Sequence, residues 1–264
     1  MMDMPRNLFY VFIYLAITLS LPAQAWADRF EIAMDAISAR IETDYGLTFV
    51  YKDIPDPGIT DLDFKIVSPS EYPKLYAYIK LVEEEIRKYP KEFFEKRELK
   101  RVLFVKKLFF QEKPTEGLFN YSRQVIFFDY ARSYGQAISQ RHNIHHEFYH
   151  MIEVGHEGWK DPAWEEFNAS DFFYGKNLTE STNDRTVGLF APAQPGFVTD
   201  YATTSAEEDK AEVYACLFIE SQRKILSRWI KTDLILQHKV TYMKDYIREY
   251  CDKMDDNYWR QLFP

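Results

Sequence analysis

Residues 137–154 read AISQRHNIHHEFYHMIEV, and five of the six histidines of the chain fall between positions 142 and 156. Inside this stretch His146-Glu147-Phe148-Tyr149-His150 forms an H-E-x-x-H pattern. The apolar spacing predicts one helix over 137–154. Residues four apart share a helix face. His146 and His150 can therefore grip one ion, each through one ring nitrogen. Neutral imidazole suits Zn²⁺, and a catalytic zinc takes three protein ligands plus a water. Glu147 then projects beside the ion, where it can accept a proton from that water.

Two residues compete for the place of third ligand. The spacing His146, His150, His156 is that of H-E-x-x-H-x-x-G-x-x-H, but Glu153 stands where that pattern needs a glycine for a sharp turn, and Gly155 comes two positions late. The rival stretch is Glu208-Asp209-Lys210-Ala211-Glu212. On a helix Glu208 and Glu212 are four apart, so one can ligate the metal while the other orients a ligand histidine. Thr204-x-x-Glu207 and Ser205-x-x-Glu208 both fit a capping box. Capping by Thr204 with Glu207 leaves Glu208 free.

With those residues in view, the sequence resembles the gluzincins, metallopeptidases with H-E-x-x-H on one helix and a Glu ligand on a later one. Phe197-Val198-Thr199-Asp200-Tyr201-Ala202, followed by Glu208 to Glu212, is similar to the anthrax lethal factor and Pro-Pro endopeptidase group. It is similar too to bacterial proteins labelled zinc-binding metallopeptidases. The resemblance spans about residues 100–220. It implies that His146, His150 and Glu208 bind zinc and that Glu147 is general base and then general acid. It further implies that Tyr201, seven residues before Glu208, stabilises the oxyanion, and that Glu212 supports the ligands from behind. The implied activity is zinc-dependent hydrolysis of a peptide or protein substrate. A catalytically inactive binding protein on the same fold and an envelope-anchored interaction module are the alternatives.

Outward from the motif, the pattern predicts a helix over 30–43, short strands over 47–51 and 62–67, and a helix over 72–88 with a short one to about 97. Strands follow over 101–110 and 123–130, the latter expected as the sheet edge beside the metal. After residue 157 a loop-rich stretch with a short helix near Trp164 leads to helices over 205–229 and 232–253. Strands first and helices later predict an α+β, zincin-like fold. A small mixed sheet and the active-site helix would precede a mainly helical C-terminal half, with the change near residue 155. His142 and His145 are expected on other faces of the site helix, solvated or behind the ligands. Trp159 and Trp164 are expected to pack, and Glu83-Glu84-Glu85 to form a solvated face.

The 264 residues are 46% hydrophobic and 28% charged, enough for a packed core, and the formal charge of −8 argues against nucleic-acid binding. Residues 1–27 resemble a secretory signal, with Arg6, an apolar run from Leu8 to Leu21 and Ala25-Trp26-Ala27 before a cut at Asp28. The expected product is one domain, 28–264, secreted or periplasmic, with no membrane span. An uncleaved N-terminal anchor is the alternative. In an oxidising compartment Cys216 and Cys251 would either bridge two helices or remain buried thiols. Three sequons, at Asn120, Asn168 and Asn177, matter only in a glycosylating host.

Overall fold

Strand β3, Arg101–Phe110, is the spine of the molecule. In this computed structural model, which describes residues 23–132, 135–153, 161–175 and 194–262, β3 serves two sheets. Its first half lies between β1 (Thr48–Val50) and β6 (Val125–Asp129), parallel to both, and β5 (Gly117–Asn120) closes the far side antiparallel to β6. Lys107 then takes a left-handed backbone, φ 52°. A left-handed residue inside a strand marks a local bend. From Lys106 onward β3 pairs with β2 (Leu62–Lys65) and then β4 (Lys113–Pro114) instead.

Alternation along the strands sends side chains to two cores. Val102, Phe104, Ile126 and Phe128 face the helices. Leu103, Val105, Val125 and Phe127 face a smaller cluster completed by Ile54 and Leu108. On the helix side lie α1 (Ala23–Tyr45), α2 (Tyr72–Ile86) and α3 (Lys91–Glu95). The motif-bearing α4 spans Ala137–Glu153. Its Phe148 is fully buried and meets Phe94, Tyr89 and Phe128 with ring centroids 5.2, 5.4 and 6.4 Å apart. That aromatic seat fixes the rotation of α4 and turns His146 and His150 to its other side. The C-terminal half is helical: α5 (Pro162–Glu166), α6 (Ala206–Phe218), α7 (Glu220–Trp229), α8 (Leu234–Tyr250) and α9 (Asp256–Leu262). The α+β class read from the sequence holds, with the small mixed sheet and the helical second half.

Several local expectations are corrected. The helix expected over 205–229 breaks at Ile219, which is extended (φ −111°, ψ 116°). Lys88 Nζ donates to Phe218 O at 3.0 Å, taking an acceptor that an unbroken helix would use itself. The sheet edge is β5, not the strand expected over 123–130, whose core, β6, is flanked on both sides. The acidic run is not all solvated: Glu85 is buried and accepts from Arg141, Lys88 and His145. His145 and His142 are both buried, and His142 takes the second of the two expected places, against Glu212 behind His146. Ser205, not Thr204, caps α6, its hydroxyl accepting from Glu208 N at 3.2 Å. Cys216 and Cys251 are buried free thiols. Trp164 packs as expected, with no exposure. The apolar run to Leu21, His156, Trp159 and Asn177 lie outside the described residues. Among the described residues no helix is long and apolar enough to cross a membrane.

Candidate metal centre

The i, i+4 spacing on α4 brings His146 Nε2 and His150 Nε2 to 3.0 Å. From α6, Glu208 Oε2 reaches within 2.9 Å of His146 Nε2 and 3.6 Å of His150 Nε2. Zinc bonds of 2.0–2.1 Å in a tetrahedron place ligand atoms about 3.3 Å apart, and the three separations bracket that value. Glu208 Oε2 is buried and receives no hydrogen bond, so it is an acceptor that a cation would satisfy. Two nitrogens and one carboxylate oxygen are also a donor set zinc favours.

Electrostatics points the same way. Burial opposes charge on His150, yet Glu153, Glu208 and Glu147 outweigh it and raise its pKa to about 10. Burial would raise Glu208, but His146 and His150 hold it well below the usual carboxylate range. A cluster that favours a proton this strongly between its carboxylates also favours a divalent cation.

Behind the cluster, Glu212 is buried and shared. Its Oε1 lies 2.9 Å from His146 Nδ1 and 3.1 Å from His142 Nε2, and its Oε2 accepts from Thr199 Oγ1 at 2.8 Å. A carboxylate on the far nitrogen fixes the ring and raises its basicity. Thr199 Oγ1 also accepts from Ala202 N at 3.1 Å, tying the Glu212 carboxylate to the 3-10 turn Tyr201–Thr203. The Tyr201 ring centroid is 6.1 Å from that of His146.

Glu147 lies under the sheet edge. A Cβ on Gly117 would fall 2.4 Å from its Cγ, 2.7 Å from its Cδ and 2.8 Å from Oε1. The absence of a side chain at the start of β5 is what lets the carboxylate sit there. The groove beside it, about 350 Å³, runs from the β3–β4 hairpin across Glu116 and Leu118 to Tyr201 and Glu208.

The structure thus brings His146, His150, Glu208 and Glu212 together, with Glu147 and Tyr201 alongside. The helix continues through Glu153, where a turn toward a His156 ligand would need to begin. A family model described as "Putative zinc-binding metallo-peptidase" matches residues 116–252, more than half of the chain and every residue of this cluster. The chain belongs to this family. The crystal structure of a putative zinc-binding metallo-peptidase from Bacteroides caccae has a similar fold, with a TM-score of 0.55 and 17% identity over 89% of this chain and 91% of that one. No curated protein matches.

Four contributors escape the sequence reading of this zinc-binding metallopeptidase family member. Gly117, a glycine ahead of an apolar segment, is a recognised sign of close backbone approach. Glu153 stands out only as a departure from a turn pattern. For His142 the spacing offers only a place in solvent or behind the ligands, and for Thr199 no role, because their link to Glu212 crosses between elements.

Proposed function

We propose that the chain is a secreted zinc-dependent endopeptidase of the gluzincin kind, akin to the lethal factor and Pro-Pro endopeptidase group. His146, His150 and Glu208 would hold the metal. The observation carrying this reading is the triangle of donor atoms 2.9–3.6 Å apart with Glu147 beside it. Zinc bound there supplies a Lewis acid that lowers the pKa of a coordinated water and polarises the scissile carbonyl. Glu147 accepts the water proton and returns it to the leaving amine. Tyr201 donates its hydroxyl hydrogen bond to the developing oxyanion. Glu212 keeps the His146 ring oriented, and β5 offers its open edge to an extended peptide.

Residues 1–27 act in this reading as a cleaved export signal. A cut before Asp28 leaves an acidic residue at the new start of α1, where the helix dipole favours it. N-terminal sequencing of the exported chain tests the cut, and retention of residues 1–27 would mark an anchored protein instead.

Glu147→Gln tests the mechanism. The variant keeps its zinc and loses hydrolysis of unstructured protein substrates. Turnover at the parental rate removes Glu147 as the base. Zinc bound by a parent that cleaves nothing leaves a binding protein on this fold.

A further inference from the structure

Four charged side chains line the groove beside the metal centre: Lys113, Glu116, Arg132 and Glu208. Glu208 belongs to the metal cluster, and Glu116 turns Oε2 into the protein. Two cations, Lys113 and Arg132, thus share the groove wall with Glu116, on a chain whose formal charge is −8.

Arg132 is held rather than loose. Its Nε donates to Thr115 O at 3.1 Å and its Nη2 to Leu108 O at 3.2 Å. The guanidinium also lies 5.7 Å from the ring centroid of Phe109. Its carboxylate neighbour Asp129 is 3.6 Å away, but that side chain already accepts from Leu108 N and Ala131 N, each at 3.0 Å. The guanidinium is thus held in place and paired, and it still lines the groove, where its planar donor fork suits a carboxylate. Lys113 has no ion pair among the described residues. It follows a hairpin turn in which Gln111 and Glu112 both take positive φ, 50° and 61°, with no glycine in either place. Such a turn is strained for these residues, and it sets Lys113 on the lip of the groove.

We infer that this groove receives a substrate residue bearing a carboxylate, so that the chain selects peptides acidic at one position near the metal and rejects basic ones there. The inference rests on the peptidase reading for its substrate class. Lys113 and Arg132 are specificity residues in it: they attract the acidic side chain and repel lysine or arginine.

The test separates binding from turnover. Full-length, zinc-loaded Glu147→Gln protein is titrated with fluorescent decapeptides that carry Glu, Gln or Lys at one position, moved along the peptide. At one position the Glu peptide binds about tenfold more tightly than the Lys peptide, with Gln between, and the gap narrows as salt is raised. Lys113→Glu, an exposed change, narrows or reverses the gap. Arg132→Gln narrows it as well, provided the variant melts as the parent does. Equal binding of the Glu and Lys series at every position overturns the inference. So does a gap untouched by Lys113→Glu, or a failure of every peptide to bind. The unsubstituted chain is then given the same peptides. Selective binding without cleavage defeats the peptidase reading alone, and cleavage without an acidic preference defeats this inference alone.

Discussion

Gly117 and Glu147 meet so closely that a Cβ at position 117 requires the Glu147 side chain to move. The reason is space, because this glycine is not among those with positive φ. A methyl group there must displace the Glu147 side chain from its present position beside the metal cluster. Gly117→Ala is therefore expected to keep zinc and to lower kcat by about a hundredfold, the usual cost of misplacing a reacting group by an ångström. Glu147→Ala removes every atom that a Cβ at position 117 would meet. Adding Gly117→Ala to that variant should then cost little, a coupling that a double-mutant cycle reads. An unchanged kcat in Gly117→Ala contradicts the assignment. At this scale His146, Glu147 and His150 were legible in the sequence, because helical period converts spacing into geometry. Glu208 was legible as one of two candidates through its spacing with Glu212, and the resemblance favoured it. Gly117 was not, since its reason is a contact with a helix that begins 20 residues downstream.

At the scale of the elements, the placing of α6 against its neighbours decides whether Glu208 reaches the histidines. The residues after Glu208 are both buried and both charged. Lys210 Nζ bridges to Glu153 Oε1 at 3.0 Å, joining α6 to the end of α4. Asp209 Oδ2 accepts from Lys239 Nζ at 2.7 Å, Tyr174 OH at 2.7 Å and Trp164 Nε1 at 2.9 Å. Burial pushes the Asp209 carboxyl up and Lys239 down, each restrained by the other. Lys239→Met leaves Asp209 without its counter-ion, and a loss of about 3 kcal/mol is expected in denaturant unfolding. A loss below about 1 kcal/mol, the range of an exposed pair, would mean the pair does not hold α6.

A second element-scale prediction concerns acid. Burial works against ionisation of Glu71, but Lys106, Ser68 and Tyr130 outweigh it and hold its pKa at about 2. The folded value lies below the unfolded one, so this contribution is complete above about pH 4.5 and fades as pH falls toward 2. Glu71→Gln should flatten the fall in stability over that window, and an unchanged slope in denaturant unfolding would remove Glu71 from the acid response. The strand carrying Lys106 was read from sequence to the residue, since its β-branched and aromatic run is long. The break at Ile219 was hidden because no glycine or proline marks it and its cause, Lys88, lies on another part of the chain. The true edge strand was missed because four residues are too few to show alternation.

For the whole molecule, the order of strands and then helices was enough to give the α+β class. It could not show that one strand bends at Lys107 to serve two sheets, or that the groove opens beside that bend. The metal site joins α4, which is seated on the sheet, to α6 in the helical half. Zinc bound there would cross-link the two halves and stabilise the fold by mass action. Chelation should lower the melting temperature of the parent and leave that of Glu208→Ala nearly unchanged. An equal fall in both would place the stabilising metal elsewhere.

His146, His150 and Glu208 are the residues proposed to bind zinc. The most direct test is the zinc content, by plasma mass spectrometry, of the purified parent, Glu208→Ala and His156→Ala. One zinc per chain is expected in the parent and in His156→Ala, and its loss in Glu208→Ala. Zinc retained by Glu208→Ala and lost from His156→Ala would contradict this assignment.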